Sequence, residues 1–237
     1  MKKKLPNNPT FELEEKLFKQ GYKRIIGIDE AGRGCWAGPV SIGAFFCTQT
    51  TKLKEGVKDS KLITPQKRSK IFATYTASEY RVYYATPAEI DEYGIAKVIE
   101  KIIASIIKSY NDSQTYFLID GRFSTKFLGN NTQIIKGDRL HYSIAAASIA
   151  AKVSRDLLMQ NLSTAYQVYG FEKHKGYGTK GHYDALVKFG ISDQHRRSFE
   201  PIKSIIKNGK PKTISWEKRG RTGLSDTKKT RFKNHRS

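Results

Sequence analysis

Arg24-Ile25-Ile26-Gly27-Ile28-Asp29-Glu30-Ala31-Gly32-Arg33-Gly34 is the stretch that decides how this chain folds. Arg24–Asp29 is a short apolar run rich in isoleucine, which predicts a buried strand. It ends on two adjacent carboxylates, and charged side chains are rarely buried without a partner. Side chains alternate across a strand, so Asp29 and Glu30 are expected to converge only if the chain turns there. The glycines just beyond supply that freedom and let backbone N–H groups approach a ligand. Gly32, Gly34 and Gly38 lack the G-x-G-x-x-G spacing of a dinucleotide loop, and an acidic pair would repel a pyrophosphate.

On either side the same kind of reading continues. Residues 10–20 form a short helix closed by Gly21, and Val40–Cys47 is a second strand after the glycine-rich turn. Thr64-Pro65 opens a helix, with an N-cap followed by proline. Tyr80–Ala85 has the aromatic and β-branched content of a third strand. Ile95, Val98, Ile99, Ile102, Ile103, Ile106 and Ile107 recur at helical spacing and read as core. Tyr116–Asp120 and Gln133–Lys136 are the fourth and fifth strands, and the small side chains of Ser143–Ala151 begin a long helix that permits close approach of a neighbour. From Gly181 onward the chain reads as helical. The order predicts an α/β fold with a mixed sheet, an antiparallel meander extended by parallel strands.

The 237 residues carry 43 Lys+Arg against 22 Asp+Glu, a formal net charge of +21 that points to a polyanionic partner. Two cysteines, Cys35 and Cys47, are too few for a disulfide framework or a thiolate zinc site and suit a reducing cytosol. The lysine-rich start has no apolar stretch behind it, and no uncharged run approaches the ~18–20 residues that span a bilayer. The expectation is a cytoplasmic protein that does not engage membranes, a monomer by default. Composition breaks near Lys207. Residues 207–237 hold eleven Lys/Arg and two acids with little periodicity, a basic tail expected to be disordered and set apart from a domain at 1–206.

Asp120 repeats the pattern of Asp29: it ends the apolar run Phe117-Leu118-Ile119 and is followed by Gly121. Ligands bind beyond the carboxyl ends of neighbouring parallel strands, so Asp29 and Asp120 meet if their strands are adjacent. Asp138, beyond the fifth strand, is placed to join them. Clustered carboxylates need protons or cations, and oxygen ligands without thiolates favour Mg²⁺ or Mn²⁺. An acidic pocket on a basic protein suits two-metal hydrolysis of a phosphodiester.

Beyond these residues the chain carries further blocks in order: Ala37-Gly38-Pro39, Asp59-Ser60-Lys61, Lys136-Gly137-Asp138, Ala145-Ala146-Ala147-Ser148, Ala151-Lys152-Val153-Ser154-Arg155-Asp156, His174-Lys175-Gly176-Tyr177-Gly178-Thr179 and His195-Arg196-Arg197-Ser198-Phe199. Together they resemble the ribonuclease HII family over about residues 24–202. The resemblance implies a ribonuclease-H-like fold: a mixed five-stranded sheet flanked by helices, with a helical C-terminal region and the basic tail. It implies an endonuclease that acts on RNA–DNA hybrid duplexes and on ribonucleotide-containing DNA in replication and repair. Cleavage would lie 5′ of an embedded ribonucleotide, leaving 3′-hydroxyl and 5′-phosphate ends. Asp29, Glu30, Asp120 and Asp138 correspond to the family's metal-binding carboxylates. Gly32, Arg33 and Gly34 correspond to the loop that senses the ribose 2′-hydroxyl, and Tyr177 to the tyrosine packed on the neighbouring sugar.

Leu62 stands where the family often has a second lysine, which removes one phosphate contact. Asp156 reads as a helix ion pair, and His174 and His195 as phosphate contacts or local caps, not metal ligands. The sister type, ribonuclease HIII, has an added N-terminal domain, and some twenty residues before the first strand are too few for one. A purely nucleic-acid-binding module would explain the charge but not carboxylates at strand ends. An integrase-like nuclease would lack the Gly-Arg-Gly loop.

Overall fold

The computed structural model describes residues 8–209. Chain order is α1 (Glu12–Lys19), β1 (Arg24–Ala31), β2 (Val40–Cys47), α2 (Pro65–Phe72), β3 (Tyr80–Ala85), α3 (Pro87–Tyr93), α4 (Ile95–Tyr110), β4 (Thr115–Asp120) and β5 (Asn131–Ile134). A 3-10 turn at Gly137–Arg139 then leads into α5 (Tyr142–Ala165). A second such turn at Gln167–Tyr169 precedes α6 (Phe171–His174), α7 (Lys180–Phe189) and α8 (Ile202–Asn208).

The five strands form one sheet in the order β3-β2-β1-β4-β5. β1, β2 and β3 are antiparallel neighbours, while β1–β4 and β4–β5 are parallel. This is the mixed sheet expected from the element order. Alternation sorts each strand between two cores. Ile26, Ile28, Ile42, Phe117 and Ile119 pack with Ile99, Ile103 and Ile106 of α4 on one face. Ile25, Phe45 and Leu118 pack with the alanine-rich start of α5 on the other, together with Leu17 and Phe18 of α1.

Helix α5 lies unusually close to the sheet. A Cβ on Gly27 would stand 2.2 Å from the carbonyl carbon of Ser143, and one on Gly43 would stand 2.3 Å from the oxygen of Ala147. The helix backbone therefore rests on β1 and β2 where those strands have no side chain, which is the close approach that its small residues predicted. Buried Glu14 of α1 covers the beginning of α5 and accepts a hydrogen bond from Ser143 N at 2.9 Å. Burial raises its pKa, and that hydrogen bond opposes the rise.

Four expectations change. β1 does not turn between Asp29 and Glu30: it stays paired with β2 as far as Ala31↔Ser41. β5 is Asn131–Ile134, not Gln133–Lys136, because Lys136 takes a left-handed conformation (φ 60°) that ends the strand. The chain after Gly181 is not helical throughout. α7 stops at Gly190, and residues 190–201 run as an irregular segment that bridges Ala37 through His195. There Arg196 and His195 are buried against the turn after β1, which a helix face could not have supplied. α8 runs through Asn208, so its last two residues fall inside the expected tail; residues 210–237 lie outside the described residues.

Replacing Gly27 by alanine should cost about 3 kcal/mol or more, because the methyl meets helix backbone and not a side chain that can turn away. Gly181→Ala is the control, since nothing lies within 4 Å of its Cβ position, and it should change stability by less than about 0.5 kcal/mol. Thermal melts of both variants check this; equal, small shifts would contradict the close packing of α5.

Candidate active site

The register of the parallel pair builds the centre of the site. β1 and β4 are aligned through Ile28↔Ile119. One step further places Asp29 beside Asp120, and alternation puts both on the α5 face, with Gly27 and Leu118. Their convergence thus comes from adjacent parallel strands, the condition expected for this pair. β4 ends here, with Gly121 at φ 101°, so the sheet opens just where the carboxylates stand. Asp138 comes from the 3-10 turn that precedes α5, and that turn is tied back to β4 by Gly137 N donating to Asp120 Oδ1 at 2.6 Å. Glu30 leaves the opposite face at the strand end yet lies close enough to disfavour ionisation of both Asp29 and Asp120.

The four carboxylates strain against one another. Asp29 is raised well above its ordinary value by burial, then by Asp120 and Glu30. Burial raises Asp120 as well, partly offset by the Gly137 N–H. Asp138 is pushed up to about 6 by burial, with Asp59 and Asp120 adding to it and Lys61 opposing. Lys61 Nζ stands 3.4 Å from Asp138 Oδ2, and Arg33 Nη1 stands 3.3 Å from Glu30 Oε1. Burial works against the charge of Lys61, but Asp29, Asp138 and Asp59 outweigh it and hold the ammonium above its usual range.

Divalent cations suit this donor set. Asp29 Oδ2 is buried without a hydrogen-bond partner, so only a proton shared with Asp120 or a cation can satisfy it. All the donors are oxygens, the preference of Mg²⁺ and Mn²⁺. Among the described residues no three His, Cys, Asp or Glu side chains already stand as a ligand set; Arg33 and Lys61 each pair with one of the carboxylates.

The turn after β1 is fastened by two arginines that sequence reading did not single out. Arg155 of α5 is fully buried and donates to Pro39 O, Ala37 O and Lys175 O at 2.8–3.1 Å. Arg196, equally buried, donates to Gly38 O and Arg33 O, both at 3.0 Å. Burial lowers the pKa of Arg196 to about 10. Gly32 has φ 89°, and a Cβ there would fall 2.0 Å from Arg155 Nε. Gly34 faces open space. Among the described residues the N–H groups of Arg33 and Gly34 donate to no protein acceptor.

Tyr177 joins this turn through its neighbour: Trp36 N and Ala37 N both donate to Gly176 O. The residue is 39% exposed, with Lys152 Nζ 5.1 Å and Arg155 Cζ 5.8 Å from the ring centroid. Burial and Cys35 push its hydroxyl up to about 12. A cleft beside it is lined by Arg68, Lys152, Lys173 and Lys175, with Asp156. Asp156 is an ion-pair residue as expected, bound by Lys152 at 2.7 Å and Arg68 at 3.7 Å. Leu62 is exposed. His174 and His195 serve local structure, each bonded to backbone. Lys61 and Asp59 also belong to the site; their only sequence signal was the block they share.

The profile of the family described as Ribonuclease HII matches residues 26–202. The chain is 43% identical over 198 residues to a ribonuclease HII of Caldicellulosiruptor bescii, covering 83% of this chain and 95% of the relative. It is 37% identical over 204 residues to that of Ehrlichia canis, covering 84% and 98%. Among solved structures, ribonuclease H2 from Pyrococcus horikoshii OT3 superposes with a TM-score of 0.65 at 26% identity, covering 78% of this chain and 97% of that one.

The raised carboxylates link stability to pH. A carboxyl whose folded pKa lies above its unfolded value stabilises fully below the unfolded value, and that contribution is lost as pH rises through the folded one. For Asp138 the window runs from 3.8 to about 6. In metal-free buffer Asp138→Asn should therefore melt higher than wild type above that window, by about 1–3 kcal/mol, or ~2–4 °C for each kcal/mol. The difference should shrink towards pH 4. A variant that melts lower at pH 8 would show that the pairing with Lys61 dominates.

Proposed function

The chain belongs to the ribonuclease HII family, endonucleases that cleave RNA in RNA–DNA hybrids, and from that premise we propose that Asp29, Glu30, Asp120 and Asp138 hold the catalytic Mg²⁺ or Mn²⁺. The observation that carries this is the register-adjacent pair Asp29 and Asp120, with a buried oxygen on Asp29 that no protein donor reaches. Such cations, when bound, polarise the phosphoryl oxygens and lower the pKa of water. Lys61 leaves Asp138 for substrate phosphate when the carboxylate charge is neutralised. Ser60, which bonds Ser148 of α5 at 2.8 Å, keeps the Lys61 backbone in place.

Selection for RNA belongs to Gly32, Arg33 and Gly34. Arg155 and Arg196 grip their turn from behind, which leaves the Arg33 and Gly34 N–H groups free for a ribose 2′-hydroxyl, the group that separates RNA from DNA. Tyr177 packs on the next sugar, and the basic cleft beside it follows the phosphates. This arrangement needs only one ribonucleotide, so the enzyme cuts 5′ of a ribonucleotide embedded in duplex DNA and leaves 3′-hydroxyl and 5′-phosphate ends. Residues 1–206 act as the catalytic domain, and the basic residues of 207–237 add affinity for any duplex. The decisive experiment is cleavage of an end-labelled DNA duplex carrying one ribonucleotide, with either metal. A cut 3′ of the ribonucleotide, or a cyclic phosphate product, would refute the assignment.

Asp29→Asn and Asp120→Asn should each retain less than about a tenth of turnover while hybrid binding stays similar, since losing a ligand charge removes several kcal/mol of transition-state stabilisation. Gly34→Ala should slow cleavage with no change in melting temperature, because the added methyl meets no protein atom and only a ligand would feel it. Unchanged kinetics would remove the loop from ribose recognition.

Deleting residues 210–237 spares α8 and removes ten Lys/Arg and two acids. The salt dependence of duplex binding should flatten by several units of slope, at ~0.9 for each phosphate no longer neutralised, with turnover at saturation unchanged. Fluorescence titrations at several salt concentrations read this, and an unaltered slope would count against a duplex-binding tail.

A further inference from the structure

Three of the five histidines, His174, His182 and His195, are packed together beneath the Tyr177 segment. His182 and His195 are essentially inaccessible. The rings of His174 and His182 stack at 4.3 Å and 13°, with Phe171 edge-on to both. Burial, then nearby histidine rings, lower His182 to about 3; burial lowers His195 to about 4, so both are neutral near pH 7.

A neutral imidazole has one N–H and one lone pair, so its hydrogen bonds dictate where the proton sits. Ser192 N donates to His195 Nδ1 at 2.9 Å and Ser192 Oγ lies 2.8 Å from the same atom; with Nδ1 accepting from the amide, the proton of His195 is on Nε2. That atom lies 3.0 Å from His182 Nε2, which must accept. The proton of His182 is then on Nδ1, 3.0 Å from the carbonyl oxygen of Tyr177, a group that can only accept. Reversing the order would set lone pair against lone pair at Tyr177, and at Ser192 it would set N–H against the amide N–H, leaving only the hydroxyl as acceptor. The Tyr177 carbonyl therefore decides the direction, and the Ser192 amide agrees with it.

We propose that His195 and His182 are positioning residues for Tyr177, joined in a one-directional hydrogen-bond relay from the Ser192 amide to the Tyr177 carbonyl. The relay spans the turn that carries ribose selection. On one side Gly38 N donates to Gln194 O and Arg196 N to Trp36 O, both at 2.8 Å; on the other, Trp36 N donates to Gly176 O at 2.8 Å. His174 braces the same segment, accepting from Gly176 N at 3.2 Å. The segment from Ser192 to Arg196, the turn after β1 and the Tyr177 segment are thus held at fixed spacing. The role rests on the reading of Tyr177 as the sugar contact.

Two independent measurements test it. Nitrogen-15 NMR of the histidine rings near pH 7 should report the Nε2–H form for His195 and the Nδ1–H form for His182. The opposite order, rapid averaging or a charged ring would overturn the relay. In kinetics on the single-ribonucleotide duplex, His182→Leu should lower kcat about tenfold or more while KM stays within about threefold, as expected when the tyrosine ring is misplaced on the sugar and not removed from it. His195→Gln should recover most of what His195→Leu loses, because its amide N–H can donate where Nε2 did. In a Tyr177→Ala background His182→Leu should cost nothing further. An equal cost in both backgrounds would make the histidines merely structural and overturn the proposal. If Tyr177→Ala alone leaves turnover unchanged, the sugar-contact reading fails and takes the positioning role with it, while the ring protonation states still report whether the relay exists.

Discussion

Everything at this site depends on the backbone of α5 resting directly on the backbone of β1 and β2. The contact repeats along β2 and the residue before it with a common measure. Ala147 O lies over Gly43, Ala151 O accepts from Ser41 Oγ at 3.0 Å, and Arg155 Nε donates to Pro39 O at 2.8 Å. Four residues of helix advance about 6 Å and two residues of strand about 6.7 Å, so one helical step stays close to one two-residue step of the strand. The helix starts just after Asp138 and brings Arg155 under the turn after β1. A single rigid rod thus sets the spacing between the carboxylates and the turn after β1. A bulkier residue at Gly27 or Gly43 would shift both ends together.

The site keeps two kinds of charge in different settings. Its carboxylates face one another across the open end of the sheet, where burial and repulsion leave them short of positive charge. Its deepest cations lie behind the turn and bond to carbonyl oxygens, which shape the backbone without cancelling charge. Lys61 stands between the two groups, on an exposed stem that can follow either a carboxylate or a phosphate.

The sheet was legible because four of its strands are short apolar runs bounded by glycine or polar turns, and strand-end acids in such runs are rare enough to mark a site. β5 was misplaced by two residues because its side chains are polar and its end is set by the left-handed Lys136, which periodicity does not report. The path of residues 190–201 was hidden for a related reason. Arg196 and His195 look like surface residues in a linear sequence, and their burial depends on carbonyls contributed by residues 33–38. Arg155 was hidden in the same way, as one charged position in a long helix. Asp29 and Asp120 were expected to meet if their strands were adjacent, and the parallel pairing of β1 with β4 meets that condition; the register itself becomes visible only once the two are paired.

The fastening of the turn by guanidinium groups has an electrostatic consequence. Among the described residues neither Arg155 nor Arg196 forms an ion pair, so each leaves a net positive charge in a medium far less polarisable than water. Mobile ions cannot enter to screen it, whereas the attraction of exposed lysines fades over about 10 Å at 0.1 M salt. As salt rises, the surface loses its hold on distant phosphates sooner than the turn loses its pull on the one beside it. Ionic strength would then govern how readily a duplex is captured more than how firmly a phosphate beside that turn is held once in place.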